Sequence, residues 1–132
     1  MSKRYSQNAK ASFWLRHRIV WCPKYRRPVL HAPHDAHLEA LIREVAAEHS
    51  WAVEALRVAP DGVGIAIGTD PTYAVAEVVN RLKARTGRVM RGEFPTLRSR
   101  LPTLWSRSYF AASLGAAPDN AIADYISTQK GQ

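Results

Sequence analysis

The sequence predicts an α+β domain: a ferredoxin-like β-α-β-β-α-β sheet with helices on one face, plus a C-terminal helix that bears a tyrosine. Three observations predict it. Four segments show apolar residues in strand-like or alternating patterns. Two longer segments repeat apolar residues at helical spacing. Their order along the chain is β-α-β-β-α-β-α, and two β-α-β units in series build one sheet with its helices on one side. The 132 residues suit a single domain spanning 1–132, with residues 1–11 expected to be flexible.

The elements follow in order. Residues 12–21 (SFWLRHRIVW) read as a strand, with Trp14, Arg16 and Arg18 on one face and Phe13, Leu15, His17 and Ile19 on the other. Cys22-Pro23 ends it, and residues 24–28 form a turn before a short extended stub at 28–30. Residues 35–50 read as a helix whose buried stripe is Leu38, Leu41, Ile42, Val45 and Ala46. Residues 51–59 alternate as a second strand, Pro60-Asp61-Gly62 signals a hairpin, and residues 63–69 return as a third strand. Asp70-Pro71 predicts a helix start, with Asp70 as cap and Pro71 at the first position. That helix buries Val75, Val78, Val79 and Leu82 and ends near Gly87 or Arg91. Residues 93–104 read as a short helix or loop, 104–114 as a fourth strand, 115–118 as a linker, and 120–129 as a last helix.

Composition narrows the partners. The formal net charge is +8, and it is segregated. Residues 1–27 hold eight Lys/Arg and no acid; residues 81–107 hold another eight against Glu93 alone; residues 28–80 hold two bases against eight acids. If folding joins the two basic blocks, they form one phosphate-binding surface. No apolar run is long enough to span a membrane, and the polar, basic residues 1–10 carry no apolar signal stretch. The single cysteine, Cys22, excludes an internal disulfide and suits a reducing cytoplasm.

Three segments carry a family resemblance. Residues 18–30 (RIVWCPKYRRPVL) resemble the first-strand signature HIVWCPKYRRxVL. Residues 83–95 (KARTGRVMRGEFP) resemble the basic helix K-G-R-S-S-R-x-L-R-x-E-F-P. Residues 101–115 (LPTLWSRSYFAASLG), followed by Tyr125-Ile126-Ser127-Thr128-Gln129, resemble the last strand and tyrosine helix. In this order they resemble the IS-two-hundred-like, single-tyrosine (HUH-type) transposases, which move insertion sequences as single-stranded DNA.

The resemblance implies a homodimer that binds DNA hairpins, with a tyrosine that attacks a phosphodiester and stays joined to the 5′ phosphate. It places the nucleophile at Tyr125, on a helix within 118–132. It places magnesium or manganese on two histidines of a strand motif and on Gln129, one helical turn beyond the tyrosine. It gives DNA contacts to Lys83, Arg85, Arg88 and Arg91.

One part of the motif is missing. At both histidine positions this sequence has glycine, Gly62 and Gly64. Residues two apart on a strand face the same side, which is how such a pair shares a metal. Glycines offer no donor, so no bound cofactor is expected and cleavage is expected to be lost. A substitute zinc site from His31, His34 and His37 lacks a cysteine partner and sits at a helix start. Aromatics at Trp105, Tyr109 and Phe110 could stack bases, although packing is their commoner use.

Overall fold

The computed structural model describes residues 6–7 and 10–115. Its main sheet has four strands: β3 (Leu15–Trp21), β4 (Ala52–Ala59), β5 (Gly62–Thr69) and β6 (Phe110–Ser113). They lie in the order β4-β5-β3-β6, and each neighbouring pair is antiparallel. This is the expected ferredoxin-like arrangement. The expected first strand is divided at Trp14. Its opening, β2 (Ser12–Phe13), leaves the main sheet and pairs with β1 (Ser6–Gln7) as a separate ribbon.

Helices α1 (His34–Glu48) and α2 (Val75–Glu93) cover one face of the sheet. Leu38, Ile42, Val45, Val78, Val79 and Leu82 are buried with Ile19, Val63, Ile65 and Ile67 in one core. The alternation of β5 explains this sidedness: Val63, Ile65 and Ile67 face the helices, which puts Gly62, Gly64, Ala66 and Gly68 on the other face. At Gly68 a β-carbon would overlap the Arg16 guanidinium lying across it, so a side chain there would have to displace the end of that arginine. Arg16 in turn stacks on Trp14 at 4.5 Å and pairs with Glu54.

Helix α2 starts later than Asp70-Pro71 predicts. The Asp70 carboxylate accepts a bond from Thr72 N at 2.7 Å, so the segment closes an Asx turn instead of capping a helix. Tyr73 then packs edge-on against Trp51, and helical hydrogen bonding begins at Val75. At its other end α2 runs through Gly87 to Glu93, since Thr86 and Met90 extend its buried stripe. A short α3 (Pro95–Arg100) follows, with proline in its first turn. The fourth strand is shorter than expected. Residues 104–109 stay outside the ladder except for one bridge between Pro23 and Trp105.

Helix α1 ends in a Schellman turn. Trp51 N donates to Ala46 O at 2.8 Å and Ser50 N to Ala47 O at 3.2 Å. Ser50 sits at φ +59°, a left-handed conformation that glycine adopts without steric cost. Ser50→Gly is therefore expected to stabilise the domain by about 0.5–1 kcal/mol in urea unfolding, the scale of an αL penalty. An unchanged or lowered midpoint would refute the strain.

Candidate nucleic-acid interface

The two basic blocks do converge. Lys24 N donates to Leu104 O at 2.8 Å, and Ser106 N donates to Cys22 O at 3.0 Å. These main-chain bonds fasten the turn after β3 (Lys24–Arg26) to the segment before β6. Between that joined wall and α2 lies a groove of about 890 Å³. Six basic side chains line it: Lys24, Lys83, Arg88, Arg91, Arg98 and Arg107, with no acidic residue among the lining groups. Such a concentration of positive charge in a concave surface favours a phosphate backbone.

Helix α2 also braces the opposite wall. Thr86 is fully buried, and its hydroxyl donates to Leu82 O at 2.7 Å while accepting from the Trp105 indole N–H at 3.0 Å. The indole packs over Gly87, where a β-carbon would meet it at an ordinary contact distance of 3.4 Å. Trp105 is only 7% exposed and stands edge-on to Trp21, so it is a wall element with no face open for a base. Tyr109 and Phe110 are exposed.

The sequence-predicted DNA contacts separate. Lys83, Arg88 and Arg91 line the groove. Arg85 points to α1, where it bonds Glu48 at 2.6 Å and lies near Glu44; the Glu48 hydrogen bond and charge raise its pKa further. Lys24, Arg98 and Arg107 were outside the predicted set. The sequence signal was their place in the two basic blocks; the wall's long-range hydrogen bonds put Lys24 and Arg107 opposite α2, while Arg98, on α3, folds back onto the α2 carbonyls of Arg91 and Gly92.

The second predicted site lies on the other sheet face. Gly62 and Gly64 stand on β5 beside Val20 and Arg18 of β3 and Arg57 of β4. A β-carbon at Gly64 would meet nothing within 4 Å; one at Gly62 would make ordinary contacts with Trp21 O and Cys22 Sγ at 3.7 and 3.8 Å. The described residues do not fit a divalent cation there. The glycines supply no donor side chain, and Asp61 is engaged by Arg26 at 3.3 Å. His17 pairs with Ile67 on the helix-facing side, where burial lowers its pKa below the ordinary 6.5. The histidine run does not substitute either: His34 contacts Val29 O at 3.2 Å, His37 pairs with Glu93, and both pack on Phe94. Among the described residues no three His, Cys, Asp or Glu side chains are placed to hold a metal. Tyr125, Gln129 and the expected helix over 118–132 lie outside the described residues.

A ferredoxin-like sheet with a basic groove on its helix side defines the class of small α+β domains with a surface suited to phosphate. Comparison makes the class specific. Residues 11–129 match the family model described as "Transposase IS200 like", and the chain belongs to that family. It is 29% identical over 119 residues to the ISDra2 transposase TnpA of Deinococcus radiodurans, covering 89% of this chain and 85% of that protein. A crystal structure of a transposase candidate from Deinococcus radiodurans R1 superposes with a TM-score of 0.76 at 27% identity, over 94% of this chain and 97% of the other. A REP-associated tyrosine transposase bound to a REP hairpin shares the fold, with a TM-score of 0.58 at 13% identity, over 93% and 67% of the two chains. Among the described residues no helix is long and apolar enough to cross a membrane.

Proposed function

We propose that this chain is a DNA-binding member of the transposase family that holds single-stranded or hairpin DNA and no longer cuts it. The observation that carries this reading is the contrast between its two surfaces. The basic groove is complete, with six cations and no acid. The strand face where the family resemblance places two imidazoles has only Gly62 and Gly64. Metal assistance is worth several kcal/mol in such a transfer, and each ~1.4 kcal/mol is about tenfold in rate, so losing it costs several orders of magnitude. A phenol is in general a weak nucleophile at neutral pH without that help, and Tyr125 would supply one. A homodimer acting in the cytoplasm completes the proposal. The resemblance supports the dimer, and the lone Cys22 suits the reducing compartment.

The test is cleavage. A labelled hairpin oligonucleotide incubated with the protein and magnesium or manganese is expected to remain intact, with no protein–DNA adduct on a denaturing gel. A 5′-phosphotyrosyl adduct that disappears in Tyr125→Phe would overturn the inactive reading and restore the chain to the cutting enzymes.

A further inference from the structure

The six groove cations are not equivalent. Lys83 Nζ donates to Ser106 O at 2.6 Å and approaches Ser108 O at 3.5 Å. Both acceptors are main-chain carbonyls of the wall opposite α2. Burial lowers the Lys83 pKa from its ordinary 10.5, as expected for an ammonium withdrawn from water. Arg98 donates to Arg91 O at 3.0 Å, and Arg91 reaches Leu101 O at a longer 3.4 Å. Three others differ. Arg88 and Arg107 are exposed, and neither has an ion pair or side-chain hydrogen bond among the described residues. Among the described residues the Lys24 ammonium has only the Tyr25 ring, 5.4 Å away. These three come from three segments: the turn after β3, the middle of α2 and the approach to β6.

Resting on the DNA-binding reading above, we propose that Lys24, Arg88 and Arg107 form the phosphate grip of the groove, while Lys83 is a positioning residue that holds the wall carrying Arg107. An ammonium already bonded to a carbonyl at 2.6 Å must give up that bond to contact a phosphate, whereas Arg88 and Arg107 give up only water and Lys24 only a 5.4 Å approach to the Tyr25 ring. Lys83 acts through the wall: its bond to Ser106 O fixes the residue immediately before Arg107. The ligand class is a phosphodiester backbone, recognised by charge and spacing. The one aromatic ring in the lining, Trp105, is buried in the wall and reads no base.

Two measurements test the division. In the first, hairpin affinity is followed against salt for the unaltered protein and for Lys24→Gln, Arg88→Gln, Arg107→Gln, Lys83→Gln and Lys83→Met, with thermal melting of each. Removing a phosphate contact lowers the log–log salt slope by about 0.7–0.9. That loss is expected for the first three variants, with unchanged melting. Both Lys83 variants are expected to melt lower and bind more weakly at an unchanged slope. A slope loss in Lys83→Gln or Lys83→Met equal to that of Arg88→Gln, with unchanged melting, overturns the proposal.

The second measurement needs no variant, so misfolding cannot obscure it. Amine acetylation read by mass spectrometry is expected to label Lys24 in the free protein and spare it in the hairpin complex, with Lys83 slow in both. A Lys83 that labels readily when free and is protected by DNA refutes the assignment. If the unaltered protein shows no salt-sensitive hairpin binding, the DNA reading itself fails, and the grip falls with it.

Discussion

Raising salt from about 50 to about 200 mM is expected to weaken hairpin binding by roughly 20- to 40-fold. The figure follows from three phosphate contacts and a log–log slope of about −0.7 to −0.9 for each. It depends on how many cations are available, not on how many the sequence contains. The chain has 19 Lys and Arg, but many are engaged elsewhere. Arg85 is held by Glu48, Arg43 by Glu39, Arg81 by Glu77, Arg26 by Asp61 and Arg16 by Glu54. If every cation in the two basic blocks touched phosphate, the slope would be several-fold steeper. If the basic face were only solvated surface, it would be near zero. Electrophoretic shifts at a series of salt concentrations separate these cases, and a flat response would sink the claim that the groove holds nucleic acid.

The second large effect is a gain. The double variant Gly62→His plus Gly64→His is expected to bind a divalent transition metal with a Kd on the order of tens of micromolar, about 6 kcal/mol of binding free energy, where the parent gives no site signal. The two positions lie on the same strand face. Space for the side chains exists, with nothing near a β-carbon at Gly64 and only ordinary contacts at Gly62. The variant should fold at least as well as the parent, since replacing glycine inside a strand removes an unfolded-state entropy advantage of about 0.5–1 kcal/mol. Calorimetric titration with zinc and with manganese gives the answer. A correctly folded variant that titrates flat would mean that these glycines do not stand at vacated ligand positions.

Much of the fold was legible because its signals are local. The α1 stripe of Leu38, Leu41, Ile42, Val45 and Ala46 is buried as its spacing required. The hairpin between β4 and β5 falls at Pro60-Asp61, where turn chemistry placed it. Misplaced boundaries came from competition between local signals and packing. Asp70 used its carboxylate for a turn, because Tyr73 had a place against Trp51 and His49 before the helix began. Gly87 did not end α2, because Thr86 and Met90 carry the buried stripe of the helix past it.

The site was legible in part for the same reason. The glycine pair of Gly62 and Gly64 is a local pattern, two residues apart on one strand, and the sequence displays it. The groove is not local. Which cations face it depends on hydrogen bonds joining residues 22–24 to 104–106, and no periodicity in either segment announces those bonds. Arg85 and Arg88 look alike along the helix. Only the neighbouring α1, with Glu44 and Glu48, makes one a structural ion pair and leaves the other available.

The position of β3 in the sheet has a consequence for biosynthesis. Both of its neighbours, β5 and β6, follow it along the chain, after α1 and β4 in one case and after α2 and α3 in the other. As the chain leaves the ribosome, β3 is a ribbon with two unsatisfied edges until β5 emerges, and one edge stays bare until β6 does. Non-local pairing of this kind slows folding and leaves a nascent chain prone to self-association. The opening block of arginine and lysine, carried on and around that same ribbon, supplies like-charge repulsion between neighbouring nascent chains during the wait.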